Sequence, residues 1–315
     1  PSPIRNVISS IVRIPFFKNG QTGFQTIILD AGEGSYGLLK RSYTKDEVDT
    51  LLDELSLVYL SHLHADHHLG IADILQAWTE RNKKNNKKLY IVTPWQFPKF
   101  LNELNQIDLN IDMSNIKYLS CEEFNVSPFI NQESNLPEAY ELAQLSIENI
   151  TLNDLTTGEV SAPQVPFVKS SSKAQEFYDQ LYMSNIQTCP AYHCEYAYSC
   201  ALEFKLSDTD TFKISYSGDT RPRYQFSTIG LNSDLLLHES TLEDIKLKDA
   251  IMKRHSTSAE AIQVGILMRA RKIILTHFSQ RYRTFTGAEE VYSRLSDPQT
   301  KNSILAMMSA RGASQ

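Results

Sequence analysis

The chain has 315 residues, 41% of them hydrophobic and 22% charged, which supports a sizeable core and excludes a low-complexity or disordered chain. A formal net charge of −6 excludes a strongly basic nucleic-acid scaffold but leaves room for an enzyme whose positive charge lies in its site. No run of about eighteen apolar residues and no basic-then-apolar leader is visible, so no membrane partner is expected.

In chain order, residues 7–30 read as two strands about the turn Lys18-Asn19-Gly20, with Thr26-Ile27-Ile28-Leu29 as the return. Asp30-Ala31-Gly32-Glu33-Gly34 follows as a tight loop, its glycines placed where the chain turns sharply. Leu57-Val58-Tyr59-Leu60 is a buried strand. Residues 71–81 are helical, and the Lys/Asn tract 82–88, with Lys83, Lys84, Lys87 and Lys88, is a solvated loop. Leu89-Tyr90-Ile91-Val92 is a strand stopped by Pro94. From 95 to 190 the pattern is weak: 97–104 looks helical and 156–172 looks like an irregular surface segment.

Beyond it, Phe212-Lys213-Ile214-Ser215-Tyr216, Asp234-Leu235-Leu236-Leu237 and Ile273-Ile274-Leu275-Thr276 are strand-like. A helix over 261–269 is announced by a capping box, Thr257-Ser258-Ala259-Glu260. Strands and helices alternate without a linker, which predicts one α/β domain over 1–315. Pro1 leads almost directly into a strand, which reads as a chain cut from a longer one.

Cys121, Cys189, Cys194 and Cys200 form no CxxC pair and no disulfide framework; free thiols are expected, with Cys194 packing as a small apolar residue. The eight histidines are more informative. His62-Leu63-His64-Ala65-Asp66-His67 packs four ligand-type side chains behind an apolar strand. In extended chain, i and i+2 project to one side, so His62 and His64 can hold one metal. Asp66 and His67, where the chain turns into a helix, can hold a second. His193, His238 and His277 follow strand-like runs, and Asp219 follows Ile214-Ser215-Tyr216-Ser217-Gly218 in the same way. Open α/β sheets gather their chemistry at strand ends.

Asp30-x-Gly-x-Gly34, the HxHxDH block, His193, Ser217-Gly218-Asp219-Thr220 and Thr276-His277 resemble the five metallo-β-lactamase motifs in order and rough spacing. His238-Glu239-Ser240-Thr241 and His255-Ser256-Thr257 resemble two loops of tRNase Z, and Pro1-Ser2-Pro3-Ile4-Arg5-Asn6 resembles its PxKxRN loop with Pro3 in place of the lysine. The resemblance covers nearly the whole chain and is to the C-terminal, catalytic half of a long-form tRNase Z.

It implies an αββα sandwich with a di-metal site at the strand ends. It implies two zinc ions, one held by His62, His64 and His193, the other by Asp66, His67 and His277, with Asp219 bridging. The implied reaction is endonucleolytic removal of the 3′ trailer from precursor tRNA by hydroxide attack on phosphorus, leaving a 3′-OH. Another RNA or cyclic-nucleotide phosphodiesterase of the same superfamily is the alternative. Asp66 would orient the nucleophile, His255 would act as the acid, and Glu239 would support it. His68 and His238 would be hydrogen-bonding groups and Asp30 a structural tie. Arg5, Asn6, Arg221 and Arg281 would meet substrate; Arg223, Lys253, Arg254 and Arg283 lie near the same loops. The implied partners are precursor tRNA and an N-terminal half carrying the tRNA-gripping arm, in the nucleus and the mitochondrion.

Overall fold

In the computed structural model, residues 8–18, 20–85, 87–109, 111–125 and 172–279 are described. Two five-stranded sheets stack face to face. The first holds β1 (Ser10–Lys18), β2 (Gln21–Leu29), β3 (Leu55–Tyr59), β4 (Leu89–Thr93) and β5 (Ile116–Ser120), side by side in that order. β1 and β2 form an antiparallel hairpin, and β2 to β5 run parallel. The second holds β6 (Met183–Pro190), β7 (Tyr198–Lys205), β8 (Thr211–Tyr216), β9 (Leu235–Glu239) and β10 (Ile273–Thr276), in the order β10-β9-β8-β7-β6. Its first three strands are parallel, and β6 and β7 are antiparallel additions.

Strands covered on both faces read as continuous apolar runs, which is why Leu57-Val58-Tyr59-Leu60 lacks alternation. Leu57 and Tyr59 point inward with Ile27, Leu29 and Val92, meeting Leu202, Phe204, Ile214 and Tyr216 of the other sheet. Val58, Leu60 and Ile91 point outward, under α1 (Ser35–Ser42), α2 (Lys45–Glu54), α4 (Ile71–Asn82) and α5 (Phe97–Leu104), where Leu52, Leu75, Trp78, Phe97 and Leu101 are buried. Against the second sheet's outer face, Phe226 and Ile229 of α7 (Tyr224–Ile229) join Val264 and Met268 at α9 (Ser258–Leu267). Helix, sheet, sheet, helix is the expected layering. The remaining helices are α3 (Ala65–His68), α6 (Ser172–Leu181) and α8 (Leu247–Lys253).

Local signals held where they were chemical. The Thr257–Glu260 capping box is formed, with the Thr257 side chain accepting from the Glu260 N–H, and starts α9 at Ser258. Several elements carried too little pattern to be expected: α1, α2 (itself opened by a Thr44–Glu47 capping box), β5, α6 and β7. The Lys/Asn tract is less free than expected. Asn82 ends α4 as a buried residue, Lys87 bonds the Asp53 carbonyl, and Lys88 pairs with Glu176. The segment 156–172 lies outside the described residues except for its last position.

Candidate metal centre

β3, β8, β9 and β10 run parallel within their sheets and deliver their C-terminal ends to one edge of the sandwich, where the predicted ligands follow them. The loop after β3 carries His62 and His64, and α3 carries Asp66 and His67. That loop is seated by close backbone contact. A Cβ on Gly32 would lie 1.9 Å from the Asp66 carbonyl oxygen, and one on Gly70 would lie 2.0 Å from the Gly32 carbonyl oxygen. Gly32 is therefore required by contact, whereas Gly34, at φ 84°, is required by its left-handed backbone.

Asp30 ties the same loop. Fully buried, its carboxylate accepts from Ser61 N (2.6 Å), Ser61 Oγ (2.6 Å), Tyr216 Oη (2.7 Å) and His67 Nδ1 (2.7 Å). The expected structural role thus extends across both sheets, because Tyr216 ends β8.

The ligand atoms converge as two groups. His62 Nε2 and His193 Nε2 lie 2.9 and 3.1 Å from His64 Nδ1. Asp66, His67 and His277 also hold their ligand atoms within 4.8 Å of one another. Asp219 Oδ2 sits between the groups, 3.3 Å from the Nε2 atoms of both His67 and His277, 3.8 Å from that of His193 and 3.9 Å from that of His62.

The hydrogen-bond partners set which ring nitrogen faces inward. His67 Nδ1 is committed to Asp30, His193 Nδ1 to the Arg254 carbonyl (3.0 Å) and His277 Nδ1 to Thr241 Oγ1 (2.6 Å). Each Nε2 is left for a metal, the arrangement by which outer partners orient imidazole ligands. Among the described residues, buried His67 Nε2 and Asp219 Oδ1 have no hydrogen-bond partner. Buried polar atoms without partners are costly, and a cation between them removes that cost. The donor set therefore fits a metal.

The electrostatics agree. Burial, and then the neighbouring His67, push the His62 imidazole down to about 2, so it is neutral and ready to donate a lone pair. The Asp66 carboxyl is held at about 2, chiefly by its hydrogen bond with His277. Burial works against the His67 imidazolium, but Asp219 and then Asp30 outweigh it and raise the group to about 11. A cation would displace that proton.

His255 stands beside these groups. Its Nδ1 lies 2.8 Å from Glu239 Oε1 and 3.9 Å from Asp219 Oδ2, so the nitrogen nearest the ligands is already bound to Glu239. Glu239 is buried and fully used, accepting from Thr220 N (2.9 Å), Thr241 N (3.1 Å) and Thr241 Oγ1 (2.5 Å). The expected hydrogen-bonding histidines are such: His68 Nδ1 donates to the His64 carbonyl (2.9 Å) and His238 Nδ1 to the Glu239 carbonyl (2.7 Å).

Other expectations need correction. Arg221 was expected to meet substrate, yet it is 3% exposed, pairs with Glu260 and donates to the His255 carbonyl (2.7 Å). It braces the His255 loop. Arg254 clasps His193, donating to its carbonyl at 2.8 Å. Cys194 shares a group with His62, His64 and His193, where burial pushes its thiol up and keeps it protonated. Thr241, which touches Glu239, His255 and His277 at once, was missed as an individual, although the HEST motif contained it. Arg5, Asn6, Arg281 and Arg283 lie outside the described residues. No helix among the described residues is long and apolar enough to cross a membrane.

A helix-flanked double sheet with histidines and carboxylates at its strand ends defines a metallo-β-lactamase-fold protein. Solved structures bear this out: a long form RNase Z from yeast (TM-score 0.74, 39% identical, 90% of this chain and 37% of that chain) and the metallo-β-lactamase fold protein YhfI from Bacillus subtilis (TM-score 0.51, 14% identical, 93% and 92%). No protein-family model matches.

Within that class the chain is homologous to the ribonuclease Z proteins. It is 42% identical to Ribonuclease Z of Saccharomyces cerevisiae over 289 residues, 90% of this chain and 34% of the relative. It is 33% identical to zinc phosphodiesterase ELAC protein 2 of Homo sapiens over 285 residues, 90% and 29%. The chain thus spans about a third of the length of these relatives.

Proposed function

We propose that the chain is the catalytic part of a zinc-dependent endoribonuclease that removes the 3′ trailer from precursor tRNA and leaves a 3′-OH. The observation that carries this is the pair of converging ligand groups sharing Asp219, with the His255–Glu239 pair at their side. His62, His64 and His193 would hold one zinc, Asp66, His67 and His277 the other, and Asp219 both. Zinc supplies Lewis acidity at a phosphate and lowers the pKa of a water to about 7.

The chain's own residues do the rest. The Asp66 side chain, 51% exposed, faces the open side of the centre and can hold the attacking water by a hydrogen bond. His255 is anchored on Glu239 through Nδ1–H; in its imidazolium form it also carries a proton on Nε2, which would pass to the departing 3′ oxygen and leave the neutral ring bonded to Glu239. Glu239, buried with its oxygens bonded, keeps that imidazole oriented. The name of a relative from Arabidopsis thaliana, tRNAse Z TRZ4, mitochondrial, 30% identical over 296 residues, supports the tRNA substrate. The length of the relatives beyond the matched third supports a further part of the same protein that grips the tRNA body. The reading places the activity where precursor tRNAs arise, in the nucleus and the mitochondrion.

The test is cleavage of a precursor tRNA by the zinc-loaded full-length protein, with both new ends mapped. A cut at the trailer junction with a 3′-OH on the tRNA is expected. A 3′-phosphate, or turnover of small cyclic phosphates alone, would overturn the reading.

A further inference from the structure

The mouth of the centre is chemically lopsided. On one flank stand Glu239 and His277, at the ends of β9 and β10, with His255 bonded to Glu239 from the loop before α9. In the second sheet these strands lie on the far side of β8 from β7 and β6. The other flank is the end of β4. The loop between β6 and β7 spans the mouth from one flank to the other: its His193 meets His255, with ring centroids 4.7 Å apart, and its Tyr196 reaches the β4 end. The two sheets are joined there by an Asn125–Thr188 bridge and by Thr188 Oγ1 donating to the Cys121 carbonyl at 2.6 Å.

That flank displays aromatic side chains to solvent. Trp95, two residues past β4, is 56% exposed, and Tyr196, three past His193, is 40% exposed. Their rings meet edge to face with centroids 6.0 Å apart. Separately, Phe100 on α5, itself exposed, meets His68 at 5.2 Å, and His68 is bonded to the His64 carbonyl. Tyr196 is held at φ 58°, a left-handed backbone that a bulky residue adopts only under constraint. The loop bearing it is closed by Ala191 N donating to the Ala197 carbonyl at 2.8 Å. Two large aromatics left in water beside a centre, one on strained backbone, are not explained by core packing.

We infer that Trp95 and Tyr196 form a stacking platform for nucleobases of the single-stranded 3′ trailer, next to the cleaved phosphate. This rests on the function proposed above. If His255 protonates the departing 3′ oxygen, the last nucleotide of the tRNA lies on the His255 flank, and the trailer leaves over the opposite one. Exposed Glu195 beside Tyr196 disfavours phosphate there, so the platform reads base faces. Stacking accepts any base, which suits trailers of varied sequence.

The test uses the full-length, zinc-loaded protein and two precursor tRNAs, one with a base-bearing trailer and one with abasic nucleotides at the first trailer positions. Single-turnover rates are measured against enzyme concentration. Trp95→Ala should raise the half-saturating concentration on the base-bearing trailer by about 5- to 150-fold, equivalent to ~1–3 kcal/mol per stacked base, with a much smaller change in the saturating rate. Trp95→Phe should restore most of the loss. Wild-type protein should lose a similar factor on the abasic trailer, and Trp95→Ala should lose little more there. Equal losses on both trailers, or no cost of the abasic trailer to wild type, would overturn the platform. If wild type cleaves no precursor tRNA, the function reading falls separately, and fluorescence decides the platform. Trp78 is buried, and quenching by a base-bearing single-stranded RNA oligonucleotide but not its abasic twin, present in wild type and lost in Trp95→Phe, reports on Trp95; equal quenching by the two oligonucleotides, or quenching unchanged in Trp95→Phe, would refute stacking.

Discussion

At the scale of single residues, neighbouring carboxylates differ in their surroundings and so in their duties. Asp66 is half-exposed at the open side, whereas Asp30 is fully enclosed and accepts four hydrogen bonds. On the proposed roles, in which Asp66 is both a ligand and the water-orienting group, Asp66→Ala should lower the single-turnover rate by several orders of magnitude and also weaken metal retention. His255→Ala should slow cleavage by about 10²–10⁴-fold while bound zinc, measured by elemental analysis, stays unchanged. Loss of metal from that variant would reassign His255 as a ligand. Asp30→Ala should weaken zinc binding by about 10–100-fold, since His67 would lose the partner that orients it. A metal titration that matches wild type would show that the ring is held by packing alone.

At the scale of elements, the His255 loop is held by a helix start. Thr257 and Glu260 form the capping box of α9, and Glu260 also receives Arg221. One carboxylate thus joins helix entry, a buried cation and the His255 loop. Removing one partner of a buried ion pair leaves the other uncompensated, at a cost of about 3–5 kcal/mol. Arg221→Met should therefore lower the denaturation midpoint and slow cleavage through His255, with little change in the salt dependence of tRNA binding. If Arg221 instead met phosphate, the salt slope would flatten by about one unit.

At the scale of the whole molecule, the proposed ligands come from both sheets: His62, His64, Asp66 and His67 follow β3, while His193, Asp219 and His277 follow strands of the second sheet. A bound metal straps the sheets together, and binding to the folded state alone stabilises it by ~2.7 kcal/mol when free metal is 100-fold above Kd. Stripping zinc with a chelator should lower Tm by roughly 5–10 °C, and resupplied zinc should restore it at about two ions per chain. A Tm indifferent to chelation, with no metal retained after zinc is supplied, would refute the metal reading.

The residue types and their local spacing were enough to single out histidines and carboxylates that converge at the strand ends. His62 and His64 share a side because extended chain repeats every two residues, and the apolar runs before His62, Asp219 and His277 mark strands by composition. The start of α9 was legible for the same reason, since a capping box closes within four residues. Partners distant along the chain were not legible. Arg221 read as a phosphate contact because its carboxylate stands 39 positions away, and burial between the two could arise only once α9 packed on the second sheet. Lys87 and Lys88 read as a free basic tract for the same reason. The aromatic flank was equally hidden, because Trp95 and Tyr196 are 101 positions apart and become neighbours only when β4 of one sheet and the β6–β7 loop of the other reach the same edge. Short-range geometry is written in the order of residues, whereas long-range contact is decided by how the two sheets stack.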